Sequence, residues 1–151
     1  MVHSQYISLS TRKRCCWVDI TGEVQEVVTQ TGLASGVCTV ASLHTTAAIT
    51  INENADPDVA TDFFSQLASM VPRDPSFHHV EDNSDSHIKT SLVGNNVQVV
   101  VDRGRLVLGT WQSIYFCEFD GPRNRQCVVN LIGDVHAASN ANQPIPRSSE
   151  L

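Results

Sequence analysis

Residues 37–51, VCTVASLHTTAAITI, contain two runs of small and β-branched side chains separated by a polar tripeptide. Such side chains favour β-strands, and a polar interruption is typical of a bend or turn. We therefore predict two strands, or one bent strand, on either side of His44, Thr45 and Thr46. Side chains at such an interruption can face a cleft, which makes the tripeptide a candidate for a functional site.

Three helices are predicted, over residues 57–71, 23–31 and 87–93. The first is the clearest, because Asp56 can accept a hydrogen bond from the first turn and Pro57 suits the first helical position. Its apolar residues recur on one face, as in an amphipathic helix packed against a core.

Strands are predicted over five further runs, residues 15–20, 97–101, 105–108, 114–119 and 126–132. Mixed strands and helices followed by consecutive strands indicate an α+β fold with a largely antiparallel sheet and a few short helices. A chain of 151 residues fits one domain. We assign that domain to residues 1–135 and predict a flexible C-terminal tail over residues 136–151, which are rich in Ala, Ser, Asn and Pro.

The composition argues against nucleic acid and membrane partners. The formal net charge is −6, whereas a nucleic-acid surface needs a strongly basic patch. The basic run Arg12–Arg14 is interpreted as a solvated turn before a strand. No stretch reaches the ~18 consecutive apolar residues of a transmembrane helix, and the first residues lack the layout of a signal peptide.

The 5 cysteines are odd in number and show no Cys-x-x-Cys spacing, so they are interpreted as reduced core residues.

These observations predict a cytoplasmic protein. The terminal Ser149-Glu150-Leu151 is close to a peroxisomal Ser-Lys-Leu signal, but its glutamate has the opposite charge. A peroxisomal address is therefore only a minor alternative.

Three histidines are candidates for a shared site. His44, His79 and His87 each fall at a strand end, in a loop or at a helix start, where side chains can point into a cleft. Three neutral imidazoles would suit a divalent metal such as zinc and leave one position for water or a phosphate oxygen. The spacing matches no local metal motif, so hydrogen-bonded or solvent-exposed histidines are the alternative.

Other polar residues are candidates for ligand binding. Lys89 lies near a predicted helix start, which favours an anion such as phosphate, although a solvated helix lysine is an equal alternative. Trp111 and Gln112 could border a pocket or merely close a hairpin. Asn52 could bind a ligand or form the turn into the next helix. Glu118 interrupts an apolar run, and a buried carboxylate there would have a raised pKa and could act as a general base.

A longer pattern resembles the YjbQ-like family, known for a secondary thiamine-phosphate synthase activity. The resemblance is carried by HTTAAITINENADP (residues 44–57), SHIKTSLVG (86–94), GRL (104–106), GTWQ (109–112), Glu118 and Gly133. Several ordered motifs together are specific, whereas any one of them alone would be weak.

The resemblance implies an α+β fold, assembly as a homotrimer and sites near subunit boundaries. It also implies a weak synthase activity that joins a hydroxymethylpyrimidine diphosphate to a thiazole phosphate and releases pyrophosphate. The site residues it implies are His44 and Glu118 in catalysis, a possible zinc or magnesium ion on the three candidate histidines, and four ligand-facing neighbours, Asn52, Lys89, Trp111 and Gln112.

Three departures from the family pattern stand out. Val80 occupies a position that is often acidic, and the loop between His79 and His87 is shorter than in many relatives. Ala55 replaces a cysteine found in some relatives, which excludes a thiol mechanism there.

Three functions remain open from the sequence. A synthase-type transferase would use positive charge to neutralise the leaving pyrophosphate. A metal-dependent hydrolase of a phosphorylated metabolite would use a metal-bound hydroxide. A non-catalytic trimeric module would bind a phosphorylated metabolite without chemistry.

Overall fold

Two antiparallel sheets lie face to face in the computed structural model, which describes residues 1–136. The larger sheet has the strand order β1-β8-β3-β5-β6, and the smaller has the order β2-β7-β4. The strands are β1 Val2–Ser10, β2 Cys16–Asp19, β3 Ser35–Ser42, β4 Ala47–Glu53, β5 Asn96–Asp102, β6 Arg105–Leu106, β7 Gln112–Glu118 and β8 Asn124–Asp134. The helices are α1 Thr21–Thr31, α2 Pro57–Met70 and α3 Ser84–Val93.

Strand β7 is the centre of the smaller sheet and is buried on both faces. Ile114 and Phe116 point into the core shared with the larger sheet and α1. Tyr115, Cys117 and Phe119 point the other way, into a second core that α2 covers. A strand buried on both faces needs apolar side chains at every position, which explains the continuous apolar run.

The structure confirms the α+β prediction and the single domain with a mostly antiparallel sheet. Two separate strands, β3 and β4, flank the tripeptide that begins at His44. The Asp56 side chain accepts a hydrogen bond from the Asp58 amide at 2.9 Å and caps α2 as expected. Of the predicted tail, only His136 is among the described residues, and residues 137–151 lie outside them.

Strand β1 is the element that sequence patterning missed. It pairs with β8 along its whole length, from Val2 opposite Ile132 to Ser10 opposite Asn124. Its inward positions include polar residues such as His3 and Gln5, so the usual alternation of polar and apolar residues is weak.

The outer face of the larger sheet carries a row of exposed apolar side chains. In the strand register Val2 lies opposite Ile132, Ile132 opposite Val37 and Val37 opposite Val100. All four are exposed. We call these four residues the outer apolar row. The apolar run 114–119, by contrast, is buried within one chain and is not available for a subunit contact.

Within residues 1–136, no helix has both the length and the apolar character needed to cross a membrane.

The second core depends on the stacking of Trp17. Its ring lies 4.3 Å from that of Tyr115, nearly parallel, and 5.1 Å from that of Phe63 on α2. We expect Trp17→Ala to lower the free energy of unfolding by about 3 kcal/mol, because it removes a large aromatic contact and leaves a cavity. Urea denaturation measures this change. Trp111→Ala, at an exposed tryptophan, is the matched control and should change stability by less than about 0.5 kcal/mol. Equal effects of the two substitutions would contradict this account of the packing.

Candidate functional site

A buried ion pair lies at the end of β7. The Arg125 Nε donates to Glu118 Oε1 at 2.8 Å, and Arg125 Nη2 donates to Glu118 Oε2 at 2.5 Å. Thr11 Oγ1 donates to Oε1 at 2.6 Å, and the Asp120 amide donates to Oε2 at 3.1 Å. The carboxylate is fully buried and receives four hydrogen bonds.

These bonds decide the protonation state of Glu118. Burial alone would raise its pKa, but the hydrogen bonds from Arg125, Thr11 and the Asp120 amide outweigh burial and lower the pKa below its ordinary value. The predicted raised pKa is therefore wrong. The ionised carboxylate fixes the Arg125 guanidinium, and its oxygens already accept protein hydrogen bonds, so Glu118 is not arranged to take a proton from a substrate.

The turn after Glu118 lies against this pair because residue 121 is glycine. A Cβ at Gly121 would lie 2.8 Å from Glu118 Cγ and 2.8 Å from Thr11 Oγ1, distances that real Cβ atoms do not show. The Gly121 amide also donates to the Arg14 carbonyl at 3.0 Å. A side chain at this position would separate the turn from the ion pair.

His44 lies near this pair and lines a pocket of about 520 Å³ over the paired residues 8–10 of β1 and 124–126 of β8. Its Nε2 accepts a hydrogen bond from the Gln126 amide at 2.9 Å. Burial and the neighbouring Arg125 charge lower the pKa of His44, although Glu118 opposes this. The neutral ring therefore carries its proton on Nδ1, so His44 presents a hydrogen-bond donor rather than a base.

The other two candidate histidines meet at the start of α3. The rings of His79 and His87 lie 5.2 Å apart and perpendicular to each other. His79 lines a cavity of about 330 Å³ together with Arg73, Asp82 and Asp85. These two histidines come from a long loop and a helix, so the fold brings separate segments together here.

The predicted three-histidine metal centre is not formed within the described part of one chain. Residues 1–136 contain no group of three or more His, Cys, Asp or Glu side chains arranged to hold a metal ion. The lone pair of His44 is occupied by the Gln126 amide, and His44 lines a different pocket from His79. Two imidazoles supply only half of the roughly four ligands that zinc takes, so the donor set of one chain does not fit the metal and no step is assigned to it.

Lys89 points into the protein. Its Nζ lies 3.0 Å from Asp85 Oδ2, and both side chains are buried. Asp85 also accepts two hydrogen bonds from Arg14, at 3.1 and 3.2 Å. These pairs hold α3 against the segment before β2. Lys89 could contact a phosphate only if its pair with Asp85 opened, and the interpretation as a solvated lysine is wrong.

The three remaining ligand-binding candidates lie at the opposite end of the smaller sheet. Glu53, the residue after Asn52, pairs with Gln112 at one end of β7, whereas Glu118 ends the strand at the other. Seven residues of β-strand extend about 20 Å. We call these regions the Trp111 end (Asn52, Trp111, Gln112) and the Glu118 end (Glu118, Arg125, His44 and the start of α3). A small metabolite cannot touch both ends of one chain.

The candidates at the Trp111 end are partly engaged in local structure. Asn52 Oδ1 accepts from the Glu53 amide at 2.8 Å, and Gln112 Oε1 accepts from the Gly109 amide at 2.8 Å. Trp111 is exposed and lines a pocket of about 370 Å³ with Thr110.

Arg125 is the site residue that sequence reasoning missed. In β8 the inward positions alternate, so Arg125 occupies the same face as Cys127, Val129 and Leu131. A basic residue in a row of core positions was a signal of a buried charge that needs a partner.

Comparison with known proteins identifies the family. A family model described as "UPF0047 protein YjbQ-like" matches residues 5–134. The chain belongs to this family.

Two relatives in this family align with the chain over nearly their whole length. The UPF0047 protein YugU of Bacillus subtilis is 47% identical over 128 residues, which are 84% of this chain and 97% of YugU. A UPF0047 protein of Methanothermobacter thermautotrophicus is 42% identical over 134 residues, which are 87% of this chain and 93% of that protein.

Two solved structures of the family have the same fold. An uncharacterised YjbQ/UPF0047 protein from Clostridium acetobutylicum superposes with a TM-score of 0.83 at 47% identity, covering 85% of this chain and 99% of that one. A protein of unknown function from Sulfolobus solfataricus gives a TM-score of 0.85 at 32% identity, covering 89% and 99%. The comparisons establish the family and the fold, and the reaction has to be inferred from the site.

The buried ion pair gives a test of the site geometry. We expect Glu118→Gln to lower the free energy of unfolding by about 3 to 5 kcal/mol, because it leaves the Arg125 charge buried without its partner. Differential scanning calorimetry checks the change. The control is Arg73→Gln, which breaks the exposed Arg73–Asp82 pair and should cost less than about 1 kcal/mol. A Glu118→Gln protein as stable as the parent would show that the pair is not essential to the fold.

Proposed function

We propose that the protein is an enzyme that acts on a small phosphorylated metabolite at the Glu118 end. The reaction that we propose is the synthase-type transfer to which the family resemblance points, joining a hydroxymethylpyrimidine diphosphate to a thiazole phosphate with release of pyrophosphate. We further propose a cytoplasmic location, which the free buried thiols of Cys38, Cys117 and Cys127 support.

The observation that carries this proposal is the contact between His79 and His87. Neither ring fills the core: His79 is exposed and His87 half-buried, and they meet beside a cavity. Two imidazoles in contact can pass protons to and from a bound substrate, which is the commonest role of histidine in enzymes. Glu118 and Lys89 are held in internal pairs, so the proton transfers fall to this histidine pair.

The surrounding structure supports a fixed position for His87. Asn83, the residue before α3, donates from Nδ2 to Asp120 Oδ2 at 2.8 Å, and Ser86 Oγ donates to the Phe119 carbonyl at 2.6 Å. The start of α3 is thereby bound to the turn after β7. A rigid first turn holds His87 in one place while the exposed loop around His79 remains open to ligands.

The proposed reaction is tested by a direct assay. Purified protein is incubated with hydroxymethylpyrimidine diphosphate and hydroxyethylthiazole phosphate, and thiamine phosphate and pyrophosphate are quantified. We expect both products in equal amounts, and we expect His87→Gln and His79→Gln each to lower kcat at least tenfold.

His78→Gln is the matched control, because His78 is the exposed neighbour of His79 and has no described ring contact with His87. It should leave kcat unchanged. Phosphate release without joining of the two substrates would assign a hydrolase instead. Binding without turnover would assign the non-catalytic module.

We also propose that the enzyme is a homotrimer in which the Trp111 end of one subunit approaches the Glu118 end of the next. This arrangement would bring together the candidates that lie about 20 Å apart in one chain. The outer apolar row supports a subunit contact, since exposed apolar residues aligned across several strands are typical of interaction surfaces.

Light scattering tests the assembly. The parent protein should have about three times the 16.5 kDa mass of one chain. Ile132→Glu should produce monomers, because it places a charge in the middle of the outer apolar row. Val80→Glu introduces the same charge at a fully exposed loop position and should leave the trimer intact. A monomeric parent protein would overturn the proposal.

A further inference from the structure

Two residues that line the pocket over the paired ends of β1 and β8, Arg125 and His44, each have a hydrogen-bond donor that residues 1–136 leave unused. Arg125 engages Glu118 and Thr46 through Nε and Nη2, and no residue among 1–136 accepts from its Nη1. Nη1 is not buried, so it is accessible to solvent. The Nδ1 atom of His44 is likewise accessible, and no described residue accepts a hydrogen bond from it, because the ring is fixed through Nε2. Both residues line this pocket of about 520 Å³.

The remaining wall of the pocket is uncharged. It is formed by Ser8, Leu9, Ser10, Asn124 and Gln126, and no carboxylate of residues 1–136 lines it. The Ser10 hydroxyl donates to Asn124 Oδ1 at 2.7 Å, and Gln126 Nε2 donates to Ser8 Oγ at 3.3 Å. A ligand here would meet donors and hydroxyls rather than negative charge, which favours an anion.

A second observation concerns the distribution of charge. Five of the 10 lysines and arginines of this acidic chain lie in two short segments, 12–14 and 123–125. The segments adjoin, since the Thr11 amide donates to the Arg123 carbonyl at 2.9 Å and the Gly121 amide to the Arg14 carbonyl at 3.0 Å.

Three carboxylates lie among these basic residues, and each is ion-paired to one arginine. Among the ion pairs of residues 1–136, Arg12 and Lys13 have no carboxylate partner, and both are exposed. The surface next to the pocket is therefore positive although the whole chain carries a charge of −6. Such a local field attracts anions.

We propose that this pocket binds the phosphate group of a phosphorylated metabolite, with Arg125 Nη1 and His44 Nδ1 as its hydrogen-bond donors. Glu118 acts as a positioning residue that orients the guanidinium, and Arg12 and Lys13 attract the anion. This inference rests on the proposed function in one respect, because it takes the bound phosphate to be part of a substrate of the same enzyme.

Titration with inorganic phosphate and with pyrophosphate tests the site without any turnover. Isothermal titration calorimetry should show saturable binding of both probes, and the Gln126 backbone amide, bonded to His44, should shift in the 15N NMR spectrum. His44→Leu removes the Nδ1 donor and should weaken phosphate binding at least tenfold. His44→Gln keeps an acceptor for Gln126 and a side-chain donor, and it should stay within about threefold of the parent affinity.

Arg125 is tested with its partner, because removing it alone would leave the Glu118 charge buried. The double variant Glu118→Leu with Arg125→Met replaces the pair by apolar side chains and should abolish phosphate binding while circular dichroism shows a folded protein. If that variant does not fold, the His44 pair of variants and the Gln126 amide shift decide the question.

Failure of this site and failure of the proposed function are distinguishable. If the parent protein does not bind phosphate or pyrophosphate saturably, or if His44→Leu binds as the parent does, the phosphate site is overturned whatever the turnover assay gives. Loss of phosphate binding on His87→Gln but not on His44→Leu would also overturn it. If phosphate binding depends on His44 and no product forms from the two substrates, the phosphate site stands and the transferase assignment falls.

Discussion

The buried carboxylate of Glu118 imposes a constraint on the elements around it. Strand β7 is enclosed by apolar layers on both faces, and its last residue carries a charge that has no contact with water. An unpaired ionised carboxylate in such surroundings would cost several kcal/mol, so its oxygens need donors from the protein. These donors come from three places: Thr11 after β1, Arg125 at the start of β8 and the amide of Asp120 in the following turn. The two sheets are therefore joined by polar contacts at this end and by apolar packing elsewhere.

From this pair a chain of hydrogen bonds reaches the start of α3. Asp120, whose amide bonds Glu118, accepts from Asn83 through its side chain. Asp85, in the first turn of α3, is held by Arg14 and Lys89. Burial would raise the pKa of Asp85, but its bonds to these two cations outweigh burial and lower the pKa. The helix that carries His87 is thus fixed by buried ion pairs, whereas the preceding residues 72–82 are largely exposed.

Local patterns in the sequence predict most of the strands and helices. They do not show that the candidate site residues lie at two separate ends of the smaller sheet. The Asp56–Pro57 cap and the polar break at His44 are local signals, and the structure has the corresponding helix start and strands. The roles of Glu118, Lys89 and Arg125 depend on partners far along the chain, such as Thr11 and Arg14, which no local pattern specifies. Sequence reasoning therefore found polar residues of the right chemistry, but it could not tell an internal ion pair from a side chain that faces a ligand.

The difference between paired and unpaired basic residues bears on how a phosphate would be recognised at the Glu118 end. The charge of Arg125 is balanced by Glu118 and that of Arg123 by Asp120, so neither adds much to the long-range field. What Arg125 offers a ligand is a donor in a fixed position, and a fixed donor contributes to specificity because a misplaced group loses its hydrogen bond. Arg12 and Lys13 are exposed and have no carboxylate partner among the described ion pairs, so they act over a distance and are screened by salt. Salt should therefore slow the arrival of an anion much more than it loosens the bound state, since the screened charges lie outside the pocket and the fixed donors lie within it.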